Sequence, residues 1–523
     1  MPLNLTVPAL EDKPIIVAET RPQKILEFLA NLPTSPLEAA IALNDEMEIL
    51  NRQKVSADSR FKALEIYRDH AASLASNLSH AYCTASLPLS KEAKAYAAAA
   101  ESLWLELAYG YKLTLNDQLS QLFNPSDKTT ALTLQRAMDS LHQLSMVYYE
   151  TYFNVPGTVW RDLHQLYFHA AQESLHEIVL QKDGQPVSID LLYKQILLMS
   201  LADPQHLAPQ DIELVADYIG RFAQHTQLQG LGMLENPAGI FIISLDSDKP
   251  PVPYIRNIKQ TDANTDIFFI TVELARLVHQ HLQMLQSGKV AKNSGLPESM
   301  LDSKYQDILV YLIKHWGASP KRVYNRLSKN SISQLGIGLH AAHFFINNEQ
   351  FYQQPAALNE SDFQSNETTT SPASRLPIKP SNWQMLNISA SGTALRKFPD
   401  THAQVRIGEL LAIRNKGEKN WSVAVLRWAS NGEQEQLDIG TQLLAPNARA
   451  AGTRIVDNGY FEPALILPAI PAIKQEVSLI ARSGFYAPAR VLELDENGVI
   501  SRIMVTKLID RTRSFERFQF SLL

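Results

Sequence analysis

Cysteine is almost absent: Cys83 is the only one in 523 residues. A single cysteine makes neither an intrachain disulfide nor a structural zinc site. It stands between Tyr82 and Thr84 in an alanine-rich stretch, where a free thiol packs as a small hydrophobe. Long apolar runs are missing too, and nothing approaches the roughly 18 apolar residues of a membrane span. There is no excess of positive charge. With 48 Lys and Arg against 54 Asp and Glu and a pI near 6.2, the chain does not read as a general nucleic-acid binder. The first residues lack a basic start followed by an apolar run, and Pro2, Pro8 and Pro14 interrupt them. They do not read as a signal peptide, and the expected location is the cytoplasm.

Catalytic patterns are absent as well. There is no HExxH, GxSxG or P-loop motif. His164, His169 and His176 lie at mixed spacing, and His279 and His281 are two apart on an expected helix, so they do not share a face. Asp246-Ser247-Asp248 reads as an exposed acidic turn. No catalytic residue, metal ligand or cofactor is assigned, and the chain is not read as an enzyme.

What is present is ordinary globular material, 45% hydrophobic and 20% charged, long enough for several domains. From Pro22 to Arg221 apolar residues recur at three and four, as in Ile25, Phe28, Leu29 and Leu32. Breakers punctuate the pattern at Pro33–Pro36, Pro88, Asn124–Pro125, Pro156–Gly157, Asp183–Gly184 and Pro204. Ser35-Pro36 and Ser90-Lys91-Glu92 read as helix starts. The expectation is an antiparallel array of about eight helices. Next, Gly239–Leu245 and Asp266–Thr271 read as strands, and Val272–Gln286 and Tyr305–Trp316 as helices. From Gly317 onward β signals dominate: an extended run in Ile332–Ile346, then Trp383–Leu386, Val405–Ile413, Trp421–Trp428 and Leu437–Leu444. Residues 347–381 are polar and cannot bury a core, so they read as a mobile loop. The tail adds strands at Val477–Ile480, Ala489–Leu494 and Arg502–Val505, with a hairpin turn at Asp495-Glu496-Asn497-Gly498. It either extends the barrel or forms a second small one. Gly336-Ile337-Gly338 is expected to be a bulge or a close-packing site with no helix after it.

Two short patterns carry chemistry. Arg322 and Arg326 stand four apart just before the first barrel strand. Asn387, Ser389 and Gly392 stand at the end of a strand and in a turn. An arginine fork matches two phosphate oxygens or the O6/N7 edge of guanine. Asn387 and Ser389, two apart on a strand, point to one face. Gly392 allows a tight turn and close backbone approach. The plain alternatives are a solvated linker for the arginines and a simple turn for Asn387–Gly392. Arg427 and Trp428 read as barrel packing with an exposed charge.

In these residues the chain resembles the PilZ family of cyclic di-GMP receptors. Arg322 and Arg326 match its RxxxR, and Asn387, Ser389 and Gly392 its (D/N)xSxxG. Leu426-Arg427-Trp428 and Ile439-Gly440 resemble its later strands. The likeness spans about Pro320 to Pro446 and implies a six-stranded barrel that binds cyclic di-GMP, as a monomer or a stacked dimer. It also implies that Arg322 and Arg326 clamp phosphate and guanine, while Asn387 and Ser389 contact the other guanine or its phosphate. One departure is the long separation of the two motifs. The polar 347–381 segment accounts for it, and Arg375 within it is a competing contact.

The expected architecture is therefore α+β and multidomain. It comprises a helical domain at 1–229, a small α/β insert or helical cap at 230–317, a PilZ-like antiparallel barrel at 318–450 carrying the 347–381 insertion, and a β-rich extension at 451–523. The expected role is a cyclic di-GMP receptor whose bound nucleotide changes the orientation or partner binding of the helical domain. The expected partners are the nucleotide and a protein. The rival reading is a scaffold or adaptor with a degenerate barrel that binds no nucleotide.

Overall fold

Serine hydroxyls open four of the long helices. Ser56, Ser90, Ser126 and Ser188 each accept the backbone N–H three residues on, satisfying donors that a helix start leaves unpaired. The computed structural model describes residues 3–12, 14–121, 125–182, 184–232, 237–255, 262–288, 294–296, 300, 303–317, 326–355, 378–432, 436–456, 459–471 and 475–523. The chain divides into two compact units. One holds Met1–Ala85 and Leu89–Lys321, the other Ser86–Pro88 and Arg322–Leu523.

The first unit opens with α1 (Pro22–Ala30), α2 (Pro36–Asn51), α3 (Ala57–Cys83), α4 (Lys91–Leu119), α5 (Asp127–Glu150) and α6 (Gly157–Gln172). A short hairpin, β1 (Leu180–Lys182) and β2 (Gln185–Val187), precedes α7 (Ile189–Leu201) and α8 (Pro209–Phe222). Eight α-helices thus fill Pro22–Phe222 among the described residues, and the proline breakers fall between them. Helix α4 packs against α2, α3 and α5, which is why its alanines and leucines are buried around its circumference. The buried Arg60 guanidinium caps the end of α2, donating to the Leu50 and Gln53 carbonyls at 2.7 and 2.8 Å. A four-stranded antiparallel sheet follows, ordered β3–β6–β4–β5, from β3 (Gln227–Gly230), β4 (Ile240–Ser244), β5 (Val252–Pro253) and β6 (Asp266–Ile270). Helices α9 (Val272–Ser287) and α10 (Ser303–Trp316) complete the unit and pack on each other.

The second unit is two closed six-stranded barrels. The first uses β7 (Leu327–Ile337), β8 (Ser381–Ser389), β9 (Gly392–Lys397), β10 (Leu410–Asn415), β11 (Ser422–Asn431) and β12 (Leu437–Ala445), with helix α11 (Leu339–Ile346) after β7. The second uses β13 (Arg449–Ile455), β14 (Glu462–Leu467), β15 (Ser478–Ala481), β16 (Val491–Glu496), β17 (Val499–Arg511) and β18 (Glu516–Leu522). Around each barrel the first strand pairs with the second and the fourth, and the third pairs with the sixth. The tail is therefore a complete barrel of the same topology as the one before it. The Asn497-Gly498 turn forms as read: Glu496 pairs with Val499, and both turn residues have positive φ, 55° and 85°.

The apolar run from Ile332 to Ile346 is corrected. It is half strand and half helix, because an unbroken apolar stretch fits either period. Gly336-Ile337-Gly338 therefore does precede a helix. Gly336 is a close-packing site: a Cβ there would stand 2.4 Å from the Phe345 ring. Gly338 turns the chain at φ +88°. Helix α11 fills the space between the barrels, in one apolar cluster with Leu410, Trp421 and Val423 of the first and Leu465, Leu467 and Ile480 of the second. Part of the polar 347–381 segment also packs. Phe351 packs against Phe344 with tilted rings, Tyr352 donates to Asp495 at 2.6 Å, and Gln354 bonds both backbone groups of Phe461. Residues 356–377, with Arg375, lie outside the described residues.

Candidate functional site

The site is built on the β8–β9 hairpin. The strands pair as Asn387↔Ala394, Ile388↔Thr393 and Ser389↔Gly392, after a register shift between Met385 and Asn387. Such bulges re-aim side chains and recur beside binding sites. Beyond the shift the pairing is regular, so Asn387 and Ser389 share a face. The Ser389 hydroxyl donates to the Gly392 carbonyl at 3.2 Å and lies 3.2 Å from the Ser391 hydroxyl. The Asn387 side chain bonds to no described residue.

Gly392 does its work against β12. A Cβ on it would lie 1.8 Å from the Thr441 carbonyl oxygen. The Leu443 N–H donates to the Ser391 carbonyl at 2.8 Å, and Thr393 and Thr441 share a buried hydroxyl pair at 2.8 Å. The close approach expected of this glycine is thus to its own barrel.

The β7–β8 ladder pairs Leu327 with Ile388 and Ser328 with Asn387. Arg326, immediately before Leu327, therefore stands at the hairpin end of the barrel, beside Ser389. It is exposed, and its side chain bonds to no described residue. Leu327 next to it is 70% exposed. Arg322 lies outside the described residues.

Two paired arginines lie on strands of the same barrel, Arg396 farther down β9 and Arg427 on β11. Arg396 donates twice to Asp438, at 2.7 Å each. Arg427 donates from Nε to Gln442 at 2.8 Å and from Nη2 to Asp510 at 2.5 Å. Trp428 packs as expected: a Cβ on Gly440 would lie 1.8 Å from its Nε1. The signal for Arg396 was its place four residues after Gly392. Nothing local marks the pairing of Arg427 with Asp510, which lie 83 positions apart. In the helical unit His164 bonds the Tyr193 hydroxyl at 2.6 Å and the Lys249 carbonyl at 2.8 Å. No group of three or more potential metal ligands occurs among the described residues.

Family models cover nearly the whole chain. Residues 240–378 and 352–450 match the middle PilZ domain of the cyclic-di-GMP receptor FimW. A PilZ domain therefore lies in residues 240–450 of this chain. Residues 23–235 match the N-terminal domain of FimW, and 449–523 match its C-terminal β-barrel domain. The PilZ match begins well before the 320–446 stretch in which the motifs were read. Among curated proteins, the cyclic-di-GMP receptor FimW of Pseudomonas aeruginosa is 24% identical over 574 residues, covering 99% of this chain and 93% of its own length. No solved structure matches. No helix among the described residues is long and apolar enough to cross a membrane.

Proposed function

We propose that the chain is a cytoplasmic receptor for cyclic di-GMP that acts by binding rather than by catalysis. One observation carries this. The β7–β8 register runs Arg326 and the Asn387–Gly392 hairpin to the same end of one PilZ barrel. There the arginine fork suits phosphate oxygens or guanine O6/N7, and Asn387 suits a base edge. Exposed Leu327 offers an apolar face beside them. The likeness to a cyclic-di-GMP receptor across both full lengths supports the same ligand.

Arg322 and Arg326 grip the ligand from the segment that leads into the barrel. Binding there alters the surface the helical half offers a protein partner. Calorimetric titration of the full chain with cyclic di-GMP tests the reading. Charge-assisted bonds worth about 1.5–3 kcal/mol each support a dissociation constant in the micromolar range or tighter. The R322A/R326A variant is expected to lose at least about tenfold in affinity. No binding by the unaltered chain at about 100 µM ligand refutes the proposal and leaves the scaffold reading.

A further inference from the structure

Arg427 links the PilZ barrel, near its hairpin site, to the C-terminal barrel. Arg427 lies on β11, and the turn at Ser391 is pinned to β12 at Leu443. The guanidinium of Arg427 rests on Gln442, the residue beside that anchor. Its other bond is to Asp510 on β17 of the second barrel. Arginine has five N–H donors, and these two bonds leave three open. The side chain is 34% exposed, so those donors are within reach of solvent and solutes.

Asp510 has a second cation. It stands opposite Arg517 in the β17–β18 ladder, and the 5% exposed Arg517 feels both Asp510 and Arg427. One carboxylate thus lies between two guanidiniums: it bonds Arg427, while buried Arg517 donates from Nε to Ser478. Positive charge is left over beside the hairpin. Arg396 differs: Asp438 takes two of its donors in a matched fork, which leaves it little reason to exchange.

We infer that Arg427 is a further guanidinium for the anionic ligand of the hairpin site, and that Asp510 is the group from which the ligand takes it. This rests on the receptor reading above and extends it. A phosphate of the ligand competes with Asp510 for the open fork of Arg427. Asp510 then still faces Arg517 across the ladder and is 19% exposed to solvent. The exchange carries the bound state from the PilZ barrel to β17, which gives the C-terminal barrel a part in the response.

The test is titration of the full chain with cyclic di-GMP in three forms: unaltered, R427A and D510N. R427A is expected to weaken binding about tenfold, the loss of one charge-assisted bond. D510N removes the competitor and is expected to tighten binding severalfold. The opposite signs matter, because damage to the barrel contact weakens binding in both. Exchange protection of the Val499–Arg511 amides is expected to change on ligand addition in the unaltered chain and not in R427A. If the unaltered chain binds and both variants match it, or both weaken alike, this inference is overturned and the receptor reading stands. If the unaltered chain does not bind, both fall.

Discussion

Replacing Gly392 with alanine puts the architecture of the hairpin site to a direct test. The added Cβ would stand 1.8 Å from the Thr441 oxygen, 2.9 Å from the Thr441 carbonyl carbon and 3.2 Å from Gln442 Cα. All three are backbone atoms, so no side-chain rotation relieves the contact. A comfortable C···O separation is about 3.3 Å or more, so the turn must lift from β12 by over an ångström. Overpacking of this kind costs about 1–3 kcal/mol. Loss of the 2.8 Å bond from Leu443 to Ser391 adds about 0.5–1.5 kcal/mol. The sum is near 3 kcal/mol, or about a hundredfold in a local opening equilibrium. Hydrogen exchange read by mass spectrometry is the assay, since it resolves β9 and β12 from the helical unit. Amides of Gly392–Lys397 and Leu437–Ala445 are expected to lose about a hundredfold in protection, and those of α3 to α5 to keep theirs. Gly232→Ala is the control, because nothing lies within 4 Å of its added Cβ. Protection of β9 and β12 within about threefold of the unaltered chain refutes the packing argument.

Other outcomes follow from buried charge. Lys112 and Asp162 form a 2.7 Å pair at 1% and 2% exposure, so K112M is expected to cost about 3–5 kcal/mol in a denaturant titration of the helical unit. Thr6 also donates to Asp162, and K112M/D162N is expected to recover part of the loss. Burial pushes His164 down from 6.5 to about 4, so the unfolded chain binds the extra proton between those values. Its contribution is full above pH 6.5 and fades as pH falls toward 4, about 3 kcal/mol in all. H164Q is expected to flatten that acid limb in melts across pH. Burial pushes Glu150 the other way, from 4.5 up to about 7, against hydrogen bonds from Tyr82 and Cys83. Its contribution is full below 4.5 and lost as pH rises through 7, so E150Q is expected to stabilise the helical unit by about 2 kcal/mol at pH 8. R326A is expected to leave the melting temperature unchanged, since its exposed side chain bonds to no described residue, and to lower nucleotide affinity.

Much of this protein is legible locally. The three-and-four spacing of Ile25, Leu29 and their successors sets the helices, because a helical face repeats every 3.6 residues whatever lies opposite. Ser90 and Ser126 mark their starts through bonds made three residues away. Asn497-Gly498 sets a hairpin because only such residues adopt that turn cheaply. The Arg322/Arg326 and Asn387–Gly392 motifs stand out in the sequence because each spans only a single turn or strand end.

Tertiary structure decided the rest. Strands β9, β13, β14 and β18 passed unread, and long-range pairing helps place them, as when β9 pairs with β12, Ala394 opposite Gly440, and β18 with β15, Phe518 opposite Leu479. The run from Ile332 to Ile346 became strand and then helix only because Phe345 found the space left by Gly336. Gly392 is needed for a carbonyl 49 positions away, not for its own turn. The charge of Arg427 meets Asp510 only after two barrels have closed and packed on α11. Local patterns reach as far as one helical turn or one hairpin, and contacts that close a barrel or join two of them are made by residues that no such pattern links.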